Sequence, residues 1–180
     1  MRYLSIILVL LAFSLMDLRA QSSLGFEFQA YPTGLIPGIR YGLGIGEKDE
    51  LSLRIGYQWI RHGSNGVHED ERGDGGGFTL GYRHYFQEGL QGWFVGAKND
   101  VWFNTLDWRD NIDQANELSG TSRIVVVQPT AEAGYLFALG ESAFFSPSAA
   151  FGFEINASTN GAEVGQGAIF LLGFWIGKRF

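Results

Sequence analysis

Apolar and polar side chains alternate in eight separate segments of this 180-residue chain. In the clearest segment, every second position from 51 to 59 is apolar: Leu51, Leu53, Ile55, Tyr57 and Trp59. A period of two places successive side chains on opposite faces of a β-strand. The pattern therefore predicts an all-β chain whose strands are apolar on one face and polar or small on the other.

The other seven segments show the same alternation and have similar lengths. Their first apolar residues are Leu24, Ile39, Phe78, Trp93, Val127, Phe145 and Phe170. Most segments span about 10 residues, which suits a tilted strand that crosses a bilayer. The composition is 46% hydrophobic and 15% aromatic with 26 glycines, which excludes a disordered chain. Only the N-terminus has a long apolar run, so a helical membrane bundle is excluded as well.

The connections between the segments alternate in length. Short ones are predicted at Glu47–Glu50, Gln87–Leu90 and Gly140–Ser142, and long ones at Gly63–Gly75, Asp107–Ser122 and Ser158–Gln166. The first connection, around Tyr31–Pro37, is a short exception on the long-loop side. Short turns at one end and long loops at the other are typical of membrane barrels. We therefore predict an eight-stranded antiparallel transmembrane β-barrel with both chain ends on the short-turn side.

The first 20 residues have the pattern of a secretory signal peptide. Arg2 precedes an almost entirely apolar run from Leu4 to Met16, and Ala20 marks a plausible cleavage point. We predict a signal peptide at 1–20 and a barrel domain at 21–180; an uncleaved anchor helix is the alternative. Cleavage leaves 11 basic and 18 acidic residues, a net charge of −7, which argues against a nucleic-acid partner. The absence of Cys excludes lipoprotein attachment and disulfides.

Charged residues occupy the second face of the segments, which they share with glycine. Four are acidic and four are basic: Glu27, Asp100, Glu132 and Glu154, and Arg40, Arg54, Arg83 and Lys98. Eight strands enclose only enough space for side chains, and an unpaired buried charge is costly. The near balance predicts a plugged interior that contains a charge network, with Arg179 as a fifth base near the rim. The alternative is a soluble sandwich with these charges in water.

The C-terminal segment resembles the last strand of bacterial outer-membrane barrels. Phe174, Ile176 and Phe180 match the alternating pattern that the barrel-assembly machinery reads in those proteins, whereas Lys178 departs from it. The segments 81–86 and 92–96 resemble the small stand-alone barrels of Bacteroidetes-type bacteria, and the plan is similar to the transmembrane half of OmpA-like proteins. The resemblance implies a bacterial outer-membrane location. The implied partners are outer-membrane lipid, lipopolysaccharide and the assembly machinery.

Two predicted loops carry clusters of acidic residues. The loop Gly63–Gly75 contains His68, Glu69, Asp70, Glu71 and Asp74, and residues 107–113 contain an acid at every third position. Oxygen ligands of this kind bind Ca²⁺, but the spacing matches no EF-hand. We expect solvated loops, no metal and no cofactor. An extracellular ligand of these loops is left unidentified.

The sequence contains no arrangement typical of nucleophilic catalysis. His62-Gly63-Ser64 is the only triplet similar to the His-x-Ser pair of lipid A deacylases, and His62 falls on the inward face. We therefore expect no enzyme activity and no catalytic residues. The prediction is a structural or surface-interaction protein that works through its loops. The alternatives are a small channel or carrier of hydrophobic solutes, as in OmpW-like barrels, and a lipid A-modifying enzyme.

Overall fold

The computed structural model describes residues 21–180, which form eight antiparallel strands in one closed barrel. The strands are β1 Ser22–Tyr31, β2 Gly34–Gly44, β3 Asp49–Arg61, β4 Asp70–Gln87, β5 Gln91–Asp110, β6 Leu118–Leu139, β7 Ala143–Asn160 and β8 Gly167–Arg179. Each strand pairs with its neighbours in sequence, and β1 pairs with β8 to close the ring. The predicted fold class is confirmed. The predicted signal peptide lies outside the described residues.

The outward face of the barrel is a band of exposed apolar side chains. On β3, for example, Leu51, Leu53 and Ile55 are 46%, 44% and 67% exposed. Asn99 is a polar residue within the apolar part of the outward face of β5, where it lies between Leu80 of β4 and Pro129 of β6. An apolar outer face is the surface that transmembrane barrels present to lipid. Within residues 21–180, no helix is long and apolar enough to cross a membrane.

All three predicted long loops are partly strand, and their predicted boundaries are wrong; in the third, β7 continues to Asn160. Strand β4 begins at Asp70, so the connection after β3 covers only residues 62–69 and includes a 3₁₀ turn at Gly63–Asn65. Strands β5 and β6 continue to Asp110 and Leu118, which leaves residues 111–117 as the loop. These strand ends carry polar residues and glycine on both faces. They lack the apolar alternation because they pair beyond the apolar band.

The interior contains two apolar clusters, one at each end. The cluster at the short-turn end consists of Tyr85, Leu90, Phe94, Leu136, Phe144 and Trp175. Leu90 reaches it from the turn between β4 and β5, where its backbone has a φ of 53°. The cluster at the long-loop end includes Ile36, Ile60, Trp102, Leu106 and Val126. Seven of the eight charged residues predicted for the inward face lie between these two clusters, and Glu154 lies at the long-loop end.

Candidate functional site

Glu27 is the centre of the buried charge network. Its carboxylate accepts hydrogen bonds from Arg40 Nη1 at 3.2 Å, Arg54 Nη1 at 3.3 Å and Gln29 Nε2 at 2.7 Å. Lys98 Nζ lies 3.9 Å from the same carboxylate. The side chains of Glu27, Arg40, Arg54 and Lys98 are at most 4% exposed. One acid therefore compensates parts of three buried cations.

The remaining charges pair around this centre. Arg54 Nη2 donates to Asp100 Oδ1 at 2.6 Å, and Thr79 donates to the same oxygen. Arg83 makes a two-pronged contact with Glu132, at 2.8 Å through Nε and 3.2 Å through Nη2. Such fork geometry fixes the orientation of both groups. Lys98 Nζ lies 3.6 Å from Glu132, which joins this pair to the centre.

Glu50 belongs to the network, although its place in the sequence predicts a turn residue. Its carboxylate accepts from Arg40 Nη2 at 3.1 Å, and the residue is 2% exposed. The signal was present in the sequence: Leu51 faces outward, so the preceding residue of the strand faces inward. With Glu50 included, four bases face four acids in the described part of the barrel.

Glu154 lies apart from the network in which it was predicted. It is 8% exposed and accepts a hydrogen bond from Gln128 Nε2 at 2.5 Å. No base within residues 21–180 forms an ion pair with it at 4.0 Å or less. The reason is its position: β7 carries it to the long-loop end, above the layer of arginines. Arg179, the predicted fifth base, instead donates to the backbone carbonyls of Gly89 and Leu90, at 3.0 and 2.5 Å.

Aromatic rings cover the charged layer on both sides. The guanidinium of Arg40 lies 4.5 Å from the ring centre of Trp175, and that of Arg83 lies 4.1 Å from Phe94. On the other side, Arg54 lies 5.5 Å from Trp102. These distances are within the range of cation–π attraction. The interior thus contains an apolar layer, a charged layer and a second apolar layer in sequence along the barrel.

Glu71 joins the loops at the long-loop end. Its buried carboxylate accepts hydrogen bonds from His62 Nδ1 at 2.7 Å and from the backbone amides of Val67, His68 and Gly165 at 2.7, 3.1 and 3.1 Å. Burial alone would raise the pKa of Glu71, but these four hydrogen bonds lower it to about 2. One carboxylate therefore connects the loop 62–69 to the loop 161–166.

His68 extends this connection to the end of β5, next to the loop 111–117. Its Nδ1 lies 2.7 Å from Asp110 Oδ2 and its Nε2 lies 3.0 Å from the Glu163 carbonyl oxygen. Both ring nitrogens face acceptors, so the imidazole satisfies both only when it carries two protons. The ring stacks on Trp108 with 4.3 Å between centres. The hydrogen bond from His68, with one from the Glu69 amide, lowers the pKa of Asp110. We call His68, Glu71 and Asp110 the loop clasp.

The structure places the remaining predicted residues on opposite faces of the barrel. His62, from the His-x-Ser triplet, is buried inside the barrel at 8% exposure and points away from the lipid-facing surface. Ile176 and Phe180 are exposed on the outer side, at 46% and 72%, and Phe174 is partly exposed there. The backbone of Phe180 pairs with Ser22, at 3.0 and 2.9 Å, and completes the β1–β8 seam.

No protein-family model matches the chain, and no curated protein matches it in sequence. Among solved structures, the N-terminal β-barrel domain of Pseudomonas aeruginosa OprF is similar, with a TM-score of 0.50 and 14% identity over 89% of this chain and 97% of that one. Ail, the attachment invasion locus protein of Yersinia pestis, has a TM-score of 0.50 and 10% identity over 89% and 99%. The Ail structure contains the heparin analogue sucrose octasulfate.

These similarities establish the fold. The chain is an eight-stranded antiparallel barrel of the kind found in outer-membrane proteins. At 10–14% identity they carry no information on individual residues. The roles of the charged layer and the loop clasp follow from the geometry of this chain alone.

Proposed function

We propose that the chain is a non-enzymatic outer-membrane barrel with a plugged interior, which acts as a structural or surface-interaction protein through its long-loop end. The observation that carries this proposal is the filled interior: four bases and four acids in contact between two apolar clusters. A charged layer held this way leaves solutes no polar path that avoids breaking ion pairs. Function is then left to the surfaces, and the long-loop end is the more extensive of the two ends of the barrel.

The loop role is tested by replacing residues 111–117 with a Gly/Ser segment of the same length. The matched control makes the same kind of replacement in the turn 140–142, at the opposite end. Both variants are returned to a deletion strain, and envelope integrity and surface adhesion are measured. We expect both to restore integrity and only the control to restore adhesion. Restoration of adhesion by the loop variant contradicts a role for this loop.

We further propose that residues 1–20 are a signal peptide and that the mature protein resides in the outer membrane. The supporting feature is the apolar outer band of residues 21–180, which needs lipid as its surroundings. N-terminal sequencing of the protein from outer-membrane fractions should begin at Gln21. An intact Met1 in that fraction contradicts cleavage.

We also propose that the chain is one of the small barrels of Bacteroidetes-type bacteria, because its segments 81–86 and 92–96 resemble theirs.

We propose that Phe174, Ile176 and Phe180 form the signal for the barrel-assembly machinery. Phe174 and Ile176 lie on the outer side of β8, and Phe180 follows its last residue and pairs with Ser22 at the closing seam. Phe180→Ala should lower the yield of assembled protein in cells without changing refolding of the purified chain. An equal loss in both experiments points to stability and overturns the signal role. Lys178→Ala, on the same face, is the control.

A further inference from the structure

The barrel wall has a notch where β8 meets β1. Strand β1 pairs with β8 only as far as Ala30 and Leu172, and the turn at Pro32–Thr33 then leads directly into β2. Strand β8 begins five residues earlier, at Gly167, so its upper part has no β1 partner. A cleft of about 560 Å³ occupies this notch. It results from the exceptionally short connection between β1 and β2.

The cleft joins the lipid-facing surface to the barrel interior. Phe151 and Phe170 face each other across β7 and β8 on the outer side, and they are 55% and 47% exposed. The inward residues Tyr31, His62 and Glu154 line the opposite part of the same cleft. An occupant therefore meets an apolar wall at one end and a polar wall at the other.

The polar wall and its surroundings contain two acids, Glu154 and Glu71, and only one candidate cation among the described residues that line the cleft, His62. Glu154 is 92% buried, and its hydrogen-bond partner, Gln128, is neutral. His62 is the cationic candidate that lines the cleft, and its Nδ1 is already bound to the second carboxylate, Glu71. By contrast, each acid of the central layer contacts a guanidinium. A buried carboxylate without a counter-ion is costly, so Glu154 needs either a bound proton or an added cation, and a cationic ligand takes the place of that proton.

We propose that this cleft binds an amphipathic ligand that carries one cationic nitrogen and an alkyl chain. The nitrogen pairs with Glu154, and the alkyl chain packs on Phe151 and Phe170. An anionic ligand would meet the buried carboxyl group of Glu154, and a neutral hydrocarbon would leave Glu154 without a counter-ion. Membrane lipids with an ammonium headgroup and soluble alkylamines share this chemistry. The binding site is independent of any role of the loop 111–117.

The test uses hexylamine, which is cationic at pH 7 as a lysine side chain is. Binding to the refolded mature chain in micelles is followed by amide chemical shifts of Ile169 and Gly165. Hexanol, hexanoate and methylamine separate the contributions of charge and chain. We expect hexylamine to bind at least tenfold more tightly than the other three. Equal binding of hexanol or hexanoate overturns the proposal.

Two variants locate the site. Glu154→Gln keeps the side-chain shape and removes the charge, and it should weaken hexylamine binding about tenfold or more. Glu163→Gln, an exposed acid on the loop 161–166, is the charge-matched control and should bind as the wild type does. Circular dichroism verifies that both are folded. Unchanged binding to a folded Glu154→Gln variant overturns the proposal.

The source of the ligand is resolved in vesicles. The chain is reconstituted in phosphatidylglycerol vesicles with and without phosphatidylethanolamine, and hexylamine binding is repeated. Competition by phosphatidylethanolamine identifies a membrane lipid as the occupant, whereas unchanged hexylamine binding identifies a soluble amine. Absence of hexylamine binding in both vesicle types overturns the proposal.

Discussion

Removing the charge of Glu27 tests whether the central layer is as dry and as tightly paired as its geometry indicates. Glu27→Gln keeps the volume, but it leaves four bases against three acids in a layer where Glu27, Arg40, Arg54 and Lys98 are at most 4% exposed. Breaking a buried ion pair by removing one partner costs about 3–5 kcal/mol. Because Glu27 contacts two guanidiniums at 3.2 and 3.3 Å, we expect a loss of about 3–5 kcal/mol in the free energy of unfolding.

The assay is urea-induced unfolding of the refolded barrel in lipid vesicles, followed by the fluorescence of its five tryptophans. Lys98→Met removes the most distant of the three bases around Glu27, at 3.9 Å, and the double variant restores the balance of charge. We expect the double variant to recover about 1–3 kcal/mol relative to additivity. The control is Glu141→Gln, in an exposed turn, which should change stability by about 0.5 kcal/mol or less. A loss below about 1 kcal/mol for Glu27→Gln would refute the reasoning, because water would then screen the layer.

Three further predictions concern the seam and the loop clasp. A Cβ at Gly177 would collide with the backbone carbonyl oxygen of Leu24, so Gly177→Ala should lower the free energy of unfolding in urea by about 1–3 kcal/mol. The control, Gly76→Ala, places its Cβ 4.0 Å from the nearest atom and should leave stability unchanged. Equal effects of the two substitutions contradict this prediction. Hydrogen bonds lower the pKa of Glu71 from 4.5 to about 2, so the ionised carboxylate stabilises the folded loops fully above pH 4.5, and this contribution is lost as pH falls towards 2. Hydrogen exchange of the Gly165 amide, which donates to Glu71, should therefore accelerate between pH 4.5 and pH 2. Unchanged protection of this amide at pH 2 contradicts the prediction. His68→Ala removes the stacking contact and two hydrogen bonds, so cleavage after Glu117 by a glutamate-specific protease should accelerate without a change in the barrel. Equal cleavage rates in the variant and the wild type contradict the clasp.

The fold was predictable because contact with lipid requires apolar residues at alternate positions of each strand. Where a strand contacts lipid, every second residue must be apolar, and the alternation from Leu51 to Trp59 records this. Beyond the apolar band that requirement ends, so the strand from Asp70 to Asp74 could not be recognised as strand. The inward phase of the charged residues followed from the same alternation.

The pairing of charges inside the barrel depends on the position of each residue along the barrel axis and on the tilt of the strands, which a single sequence does not reveal. Glu154 has the same phase as Glu132, but it lies too far along its strand to reach an arginine. Glu50 was missed because it follows a turn, although its phase is inward. The loop clasp unites residues 42 and 94 positions apart, such as His68 with Asp110 and Glu71 with Gly165. No local pattern marks such contacts.

The central claim is that the interior is closed by a balanced charged layer between two apolar clusters. Planar-bilayer conductance of the purified, refolded mature chain tests it most directly. The closed interior predicts no reproducible conductance steps. Stable ohmic steps would contradict it, because they would require that the ion pairs around Glu27 open to water, and a channel would then become the leading function.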